Sequence, residues 1–137
     1  MEDLEARLRL AITRSLYDIR VELLDQFNLN FRRQGFFTEA WQKKKRDDGH
    51  PILIRTGELR RSIVGRVNTG DNSVSFGSPE VYAAIHNEGG TIQRRNITIT
   101  MPRRQFVGWD PSLLPILEQI VQKQFNHYLS GINIVLN

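Results

Sequence analysis

Leu4, Leu8, Ile12, Leu16, Ile19, Leu23 and Phe27 recur at intervals of four, four, four, three, four and four residues. An apolar stripe with that period belongs to an amphipathic helix, and no strand can present it on one face. Glu5, Arg9, Arg20 and Asp25 lie on the opposite, polar face. Asn28, Asn30 and Gly35 signal the helix end. A helix over residues 3–30 would be about 42 Å long at 1.5 Å per residue. That is long for a chain of 137 residues, which fits one domain. Part of the helix is expected to extend past the core and meet another subunit.

The remaining chain divides into shorter pieces. Phe31, Phe36, Phe37 and Trp41 are apolar anchors, followed by the charged segment KKKRDDGHP at 43–51, expected as a mobile surface loop. Thr56-Gly57-Glu58-Leu59 predicts a short helix, with Thr56 as its cap and Leu59 and Ile63 on one face. Val64–Asn68 and Ser73–Gly77 read as two strands around the turn Asn68-Thr69-Gly70-Asp71-Asn72. Val74 and Phe76 alternate with serines, so one strand face should be buried. Pro79 could open a helix containing Tyr82, Ala83, Ile85 and His86, which Gly89-Gly90 would stop by a turn of positive φ. Ile97, Ile99 and Met101 alternate with Thr98 and Thr100 in the clearest strand of the chain, and Pro102 ends it. A second amphipathic helix is predicted over about 111–129, with Asp110 or Ser112 as cap, Pro111 at its opening and Gly131 at its close. Residues 132–136 could add a last strand. The class is α+β: one domain over 1–137, a small antiparallel sheet packed with a long N-terminal helix, short connecting helices and a C-terminal helix.

The chain has no cysteine, which removes disulfides, thiolate chemistry and cysteine-based metal sites. The N-terminus MEDLEARLRL is charged and lacks a signal-peptide pattern, and no apolar run approaches the roughly 20 residues that span a bilayer. A cytoplasmic setting without a membrane is expected. Hydrophobic residues make up 39% of the chain, lean enough for some apolar surface to await a partner. A net charge of +4 and a pI near 9.8 are compatible with nucleic acid. The arginines pair as Arg32-Arg33, Arg60-Arg61, Arg94-Arg95 and Arg103-Arg104, but adjacent residues diverge on a helix or strand and make no patch by themselves. No helix-turn-helix, zinc-finger or RNA-recognition motif accompanies them. His50, His86 and His127 have no zinc-helix spacing. His86-Asn87-Glu88 is the one cluster resembling an acid–base site; a locally bonded histidine ending a helix explains it as well. Trp41 and Trp109 flank loops, where tryptophan serves either the core or an interface.

Three segments occur in order: Ile52-Leu53-Ile54-Arg55-Thr56-Gly57-Glu58-Leu59-Arg60-Arg61-Ser62-Ile63, Tyr82-Ala83-Ala84-Ile85-His86-Asn87-Glu88-Gly89-Gly90, and Pro102-Arg103-Arg104-Gln105-Phe106-Val107-Gly108. Together they resemble the phage virion morphogenesis family, which includes tail completion proteins of contractile-tailed phages. Gln105 stands where that family often has proline. The resemblance covers residues 1 to about 129. It implies structural roles for Thr56, Gly57, Leu59, Ser62, Ile63, Tyr82, Ala83, His86, Gly89, Gly90, Pro102, Arg104, Phe106 and Gly108. Phe106 should be buried and Arg104 should form an ion pair. It further implies a non-enzymatic protein without cofactor or metal, used in tail completion or head–tail joining. Such a protein would bind itself as a homo-oligomer, with a ring as one form, and neighbouring tail or neck proteins. It would work in the bacterial host cytoplasm and could stay in the virion. Ring formation requires a head-to-tail contact whose rotation closes. The first helix, the 43–51 loop with Lys43, Lys44 and Lys45, the 91–96 loop with Arg94 and Arg95, and Trp109 are the candidate contacts. A basic nucleic-acid-binding module is the alternative, and a small hydrolase using His86 and Glu88 is a third reading.

Overall fold

A computed structural model describes residues 2–46, 48–54, 57–80, 82–94 and 96–132. Along these runs the order is α1 (Glu2–Arg33), β1 (Gly35–Phe36), β2 (Glu39–Ala40), α2 (Glu58–Arg61), β3 (Val64–Asn68), β4 (Ser73–Gly77), α3 (Ala83–Glu88), β5 (Gly90–Arg94), β6 (Ile97–Met101) and α4 (Leu113–Tyr128). The architecture is α+β. The strands form three separate two-stranded pieces, β1–β2, β3–β4 and β5–β6, rather than one sheet. β1–β2 and β5–β6 are antiparallel. Thr56 and Arg95 lie outside the described residues, as does all but Ile132 of the expected last strand.

Helix α1 runs to Arg33, about 48 Å of helix, past the asparagines expected to end it. The stripe continues through Asn30 and Phe31, both fully buried, so tertiary burial overrides the local stop signal. Gln34, at φ 57, leaves the helix instead. Its side-chain amide donates to the Phe31 and Ile52 carbonyls and accepts from the Ile52 N–H. The β1–β2 hairpin that follows escaped the sequence reading because two-residue strands have no measurable period. Gly35 sits so close to β2 that a Cβ there would lie 2.5 Å from the Glu39 carbonyl oxygen.

The chain clusters into two compact units. The first holds residues 1–23, 66–75 and 110–137. Its core uses Ala11, Leu16, Leu23 and Leu113. Ser15 is also buried, its hydroxyl donating to the Ala11 carbonyl one turn back at 2.7 Å. Two small residues of α1 are thus buried, while Leu4, Leu8, Ile12 and Ile19 of the stripe are only half-buried. Gln124 of α4 donates to Asp18 of α1 at 2.6 Å, and Arg7 donates to the Ser130 carbonyl. Helix α4 begins after Ser112, whose N–H and hydroxyl both donate to Asp110. Pro111 therefore precedes the cap instead of opening the helix. Gly131, at φ 80, follows the helix end.

The second unit holds residues 24–65 and 76–109. Phe27, Phe31, Phe36, Trp41, Ile63, Ala83 and Phe106 are buried here. Phe31 is the hub, with its ring 5.3 Å from Phe106 and 5.7 Å from Trp41. Phe27 meets Phe76 edge-on at 5.2 Å, a geometry that aligns a positive ring edge with a negative face. Burying each such ring stabilises the fold by about 1.5–3 kcal/mol. Val74 and Phe76 are half-buried on the expected face of β4. Helix α3 begins at Ala83, four residues later than the Pro79 opening would place it, with Tyr82 at the cap position.

Candidate assembly interface

The Pro102–Gly108 segment leaves β6 and forms no strand, yet several backbone groups between Arg104 and Val107 are bonded to other segments. The Arg104 N–H donates to the His86 carbonyl at 2.8 Å. The Gln105 carbonyl accepts from the Trp41 indole N–H at 2.7 Å. The Phe106 and Val107 N–H groups share the Asn87 side-chain oxygen at 2.9 and 3.1 Å. The Phe106 carbonyl accepts from the Asn30 amide at 2.9 Å. An extended segment without a strand partner must satisfy its backbone in some other way when buried, and side chains do so here.

Two of those side chains, Asn30 and Asn87, were not among the residues given structural roles from the sequence. Asn30 is fully buried, and its oxygen also accepts from the Phe37 N–H and from Arg33, each at 2.9 Å. A usable signal was present: an amide lying on the apolar stripe of a helix must find partners. Asn87 was noted only as a neighbour of His86 and Glu88.

Among the residues assigned structural roles, Phe106 is 1% exposed and Ala83 is buried. Arg104 is buried, but its partner is not a carboxylate: Nε and one terminal nitrogen straddle the Gln42 carbonyl at 3.1 and 3.0 Å. The planar fork of guanidinium donors suits a single carbonyl as well as an acid. Gly89 has φ 74, and a Cβ there would lie 2.9 Å from the Arg103 backbone nitrogen, so the α3 and Pro102–Gly108 segments approach where only glycine fits. Gly57, at φ 75, is the N-cap of α2 and supplies no side-chain cap. Ser62 caps the other end, bonding the Leu59 carbonyl at 2.6 Å and the Ser78 hydroxyl at 2.5 Å. Ile63 is buried just beyond that helix, and Leu59 is half-buried. Tyr82 is exposed.

His86 faces the same cluster. Its Nδ1 is buried without a hydrogen-bond partner among the described residues. Burial, then the nearby Arg104 charge, pushes its pKa below the ordinary 6.5. As pH falls below 6.5, the unfolded chain takes up this proton before the folded chain does. Stability is therefore full above 6.5 and is lost as pH falls through the folded pKa. Thermal unfolding followed between about pH 7 and pH 5 should show a falling midpoint. His86→Gln should flatten that dependence; an unchanged slope would assign it to other groups.

The candidate contact residues are scattered. Lys43 and Lys45 are exposed. Lys44 is engaged by Asp48 at 2.5 Å and by the His50 carbonyl at 2.7 Å. The Lys44 ammonium, then the His50 N–H, hold the Asp48 carboxyl down at about 2. Residues 91–94 belong to strand β5 rather than to a loop. The Arg94 side chain and Arg95 lie outside the described residues. Trp109 is 58% exposed, so the two tryptophans divide between core and surface. Among the described residues no group of acidic, histidine or cysteine side chains could hold a metal, and no helix is long and apolar enough to cross a membrane.

The sequence pattern of the phage virion morphogenesis family matches residues 19–126, which include every segment of the bonded cluster around Phe106. The chain belongs to this family. It is also 34% identical over 77 residues to a protein of Escherichia phage Mu named "Putative capsid assembly protein G". That match covers 54% of this chain and 48% of the Mu protein, so the chain spans about half the length of the relative. No solved structure matches the chain significantly. In this virion morphogenesis chain, the segments from Tyr82 to Gly90 and from Pro102 to Gly108 hold each other in place.

Proposed function

We propose that the chain is a structural component of phage assembly, acting in tail completion or at the head–tail joint through protein–protein contacts rather than by catalysis. The observation that carries this reading is how the motif residues are used. Asn87, Gly89, Arg104 and Phe106 are spent on the protein's own backbone, which leaves recognition to the exposed surface. That surface carries large apolar side chains in the second unit, with Ile97, Ile99 and Trp109 each more than two-fifths exposed. Aromatic and aliphatic groups of this kind anchor interfaces. Family membership and the name of the Mu relative support the assembly role. The partners are further copies of the chain and neighbouring tail or neck proteins, met in the host cytoplasm.

Electron microscopy of particles made with the gene disrupted tests this. Filled heads beside free or unfinished tails are expected. Normal infectious particles would rule the reading out. In a complemented strain, Trp109→Ala should lower the yield of complete particles while leaving the thermal midpoint of the purified protein within a few degrees of wild type, since an exposed side chain contributes little to stability.

A further inference from the structure

Strand β6 is the sequence Ile-Thr-Ile-Thr-Met, and among the described residues it pairs along one edge only, with β5. Ile97 is 64% exposed and Ile99 43%, and Thr98 and Thr100 are exposed as well. The other edge of β6 has no strand beside it among the described residues. A free edge offers a row of N–H and C=O groups that another strand can satisfy. Proteins that must keep such an edge single place lysine, proline or a bulge on it. Residues 97–101 contain no charge and no proline.

The residue order on β6 also specifies its partner. Two copies laid antiparallel about Ile99 set Ile99 against Ile99, Thr98 against Thr100 and Ile97 against Met101 of the second copy. Apolar groups then meet on one face and hydroxyls on the other, and both kinds of cross-strand pair stabilise sheets. A shift of one residue would set isoleucine against threonine and lose both. Charge agrees with this register. The chain carries +4, but the joined segment is neutral, so no like charges face each other within it.

We propose that β6 is a self-association element: two copies join edge to edge around a two-fold axis at Ile99, giving a four-stranded antiparallel sheet in the order β5–β6–β6–β5. A contact of this symmetry uses the same patch on both partners, as the order of β6 requires. The edge is small beside the roughly 1,200–2,000 Å² of a stable interface, so association depends on protein concentration. Raising the salt strengthens it, because the repulsion between two chains of net charge +4 is screened. This deepens the assembly reading, on which it rests for the partnership between copies, by naming the strand edge through which they join.

The absence of cysteine makes the test direct. Ile99→Cys places one thiol on the axis, facing its own copy. Ile97→Cys places one that faces Met101. With oxidised glutathione, the purified full-length Ile99→Cys chain is expected to form a disulfide-linked dimer about tenfold faster than Ile97→Cys, through the higher effective concentration of the facing thiol. The rate should rise with salt. Both positions are exposed, and far-UV circular dichroism checks that each variant is folded. In sedimentation of the cysteine-free chain, Ile99→Lys should shift the population to monomer. Equal cross-linking at 97 and 99, or none at either, would overturn the proposal. The readout uses purified protein, so its failure is distinct from failure of the assembly role in particles.

Discussion

Replacing Asn30 with leucine is expected to remove about 3–5 kcal/mol of folding stability, a large share of the 5–15 kcal/mol typical of a native protein. Leucine nearly matches the amide in size and is compatible with a helix, so the loss isolates the hydrogen bonds. The Phe106 carbonyl and the Phe37 N–H would each lose their Asn30 partner, and Arg33 would lose one of its acceptors. An unmet buried group costs about 1–3 kcal/mol. Thermal unfolding followed by circular dichroism should show a midpoint roughly 10–20 °C lower. A shift of a few degrees would mean that Phe106 and Phe37 find water or other partners, and that Asn30 is not the clamp its geometry indicates. Asn30→Asp should also destabilise, since a carboxylate cannot donate to the Phe106 carbonyl and its charge would be buried.

Phe106→Ala should cost a similar amount, about 3–5 kcal/mol, by a different mechanism. The ring is 1% exposed and lies 5.3 Å from Phe31. Removing it leaves a cavity among side chains already held by Trp41, Asn30 and Asn87, which limits collapse. Chemical denaturation should show a lower midpoint with an unchanged denaturant slope, because the surface exposed on unfolding barely alters. A cost under about 1 kcal/mol would show that the segment repacks freely. The contrast with Trp109 is informative: loss of Phe106 should reduce particle yield through loss of folded protein, whereas loss of Trp109 should reduce it at normal stability.

Much of the fold was legible before any coordinates, and the reason is periodicity. The α1 stripe, the β3 and β4 bounds, the alternation along 97–101 and the α4 pattern are repeated signals, each residue adding to the same conclusion. The ordered motifs from Thr56 to Gly108 pointed to the family in the same cumulative way. Local conformational needs were legible too: Gly89 and Gly131 stand at positive φ where the chain turns. The sequence by itself determined these because helix, strand and turn preferences depend on neighbours a few residues away.

The tertiary structure alone decided where distant polar groups meet. Asn30 was read as a stop signal and proved to be a buried clamp on a segment 76 residues away. Arg104 was expected to meet a carboxylate and instead grips the Gln42 carbonyl, 62 positions distant. One tryptophan was buried and the other exposed, and an alternating strand was left uncovered on both faces. Hydrogen bonds and burial are set by which segments come together in space, so spacing can mark a polar group that needs a partner but does not say which distant group it meets.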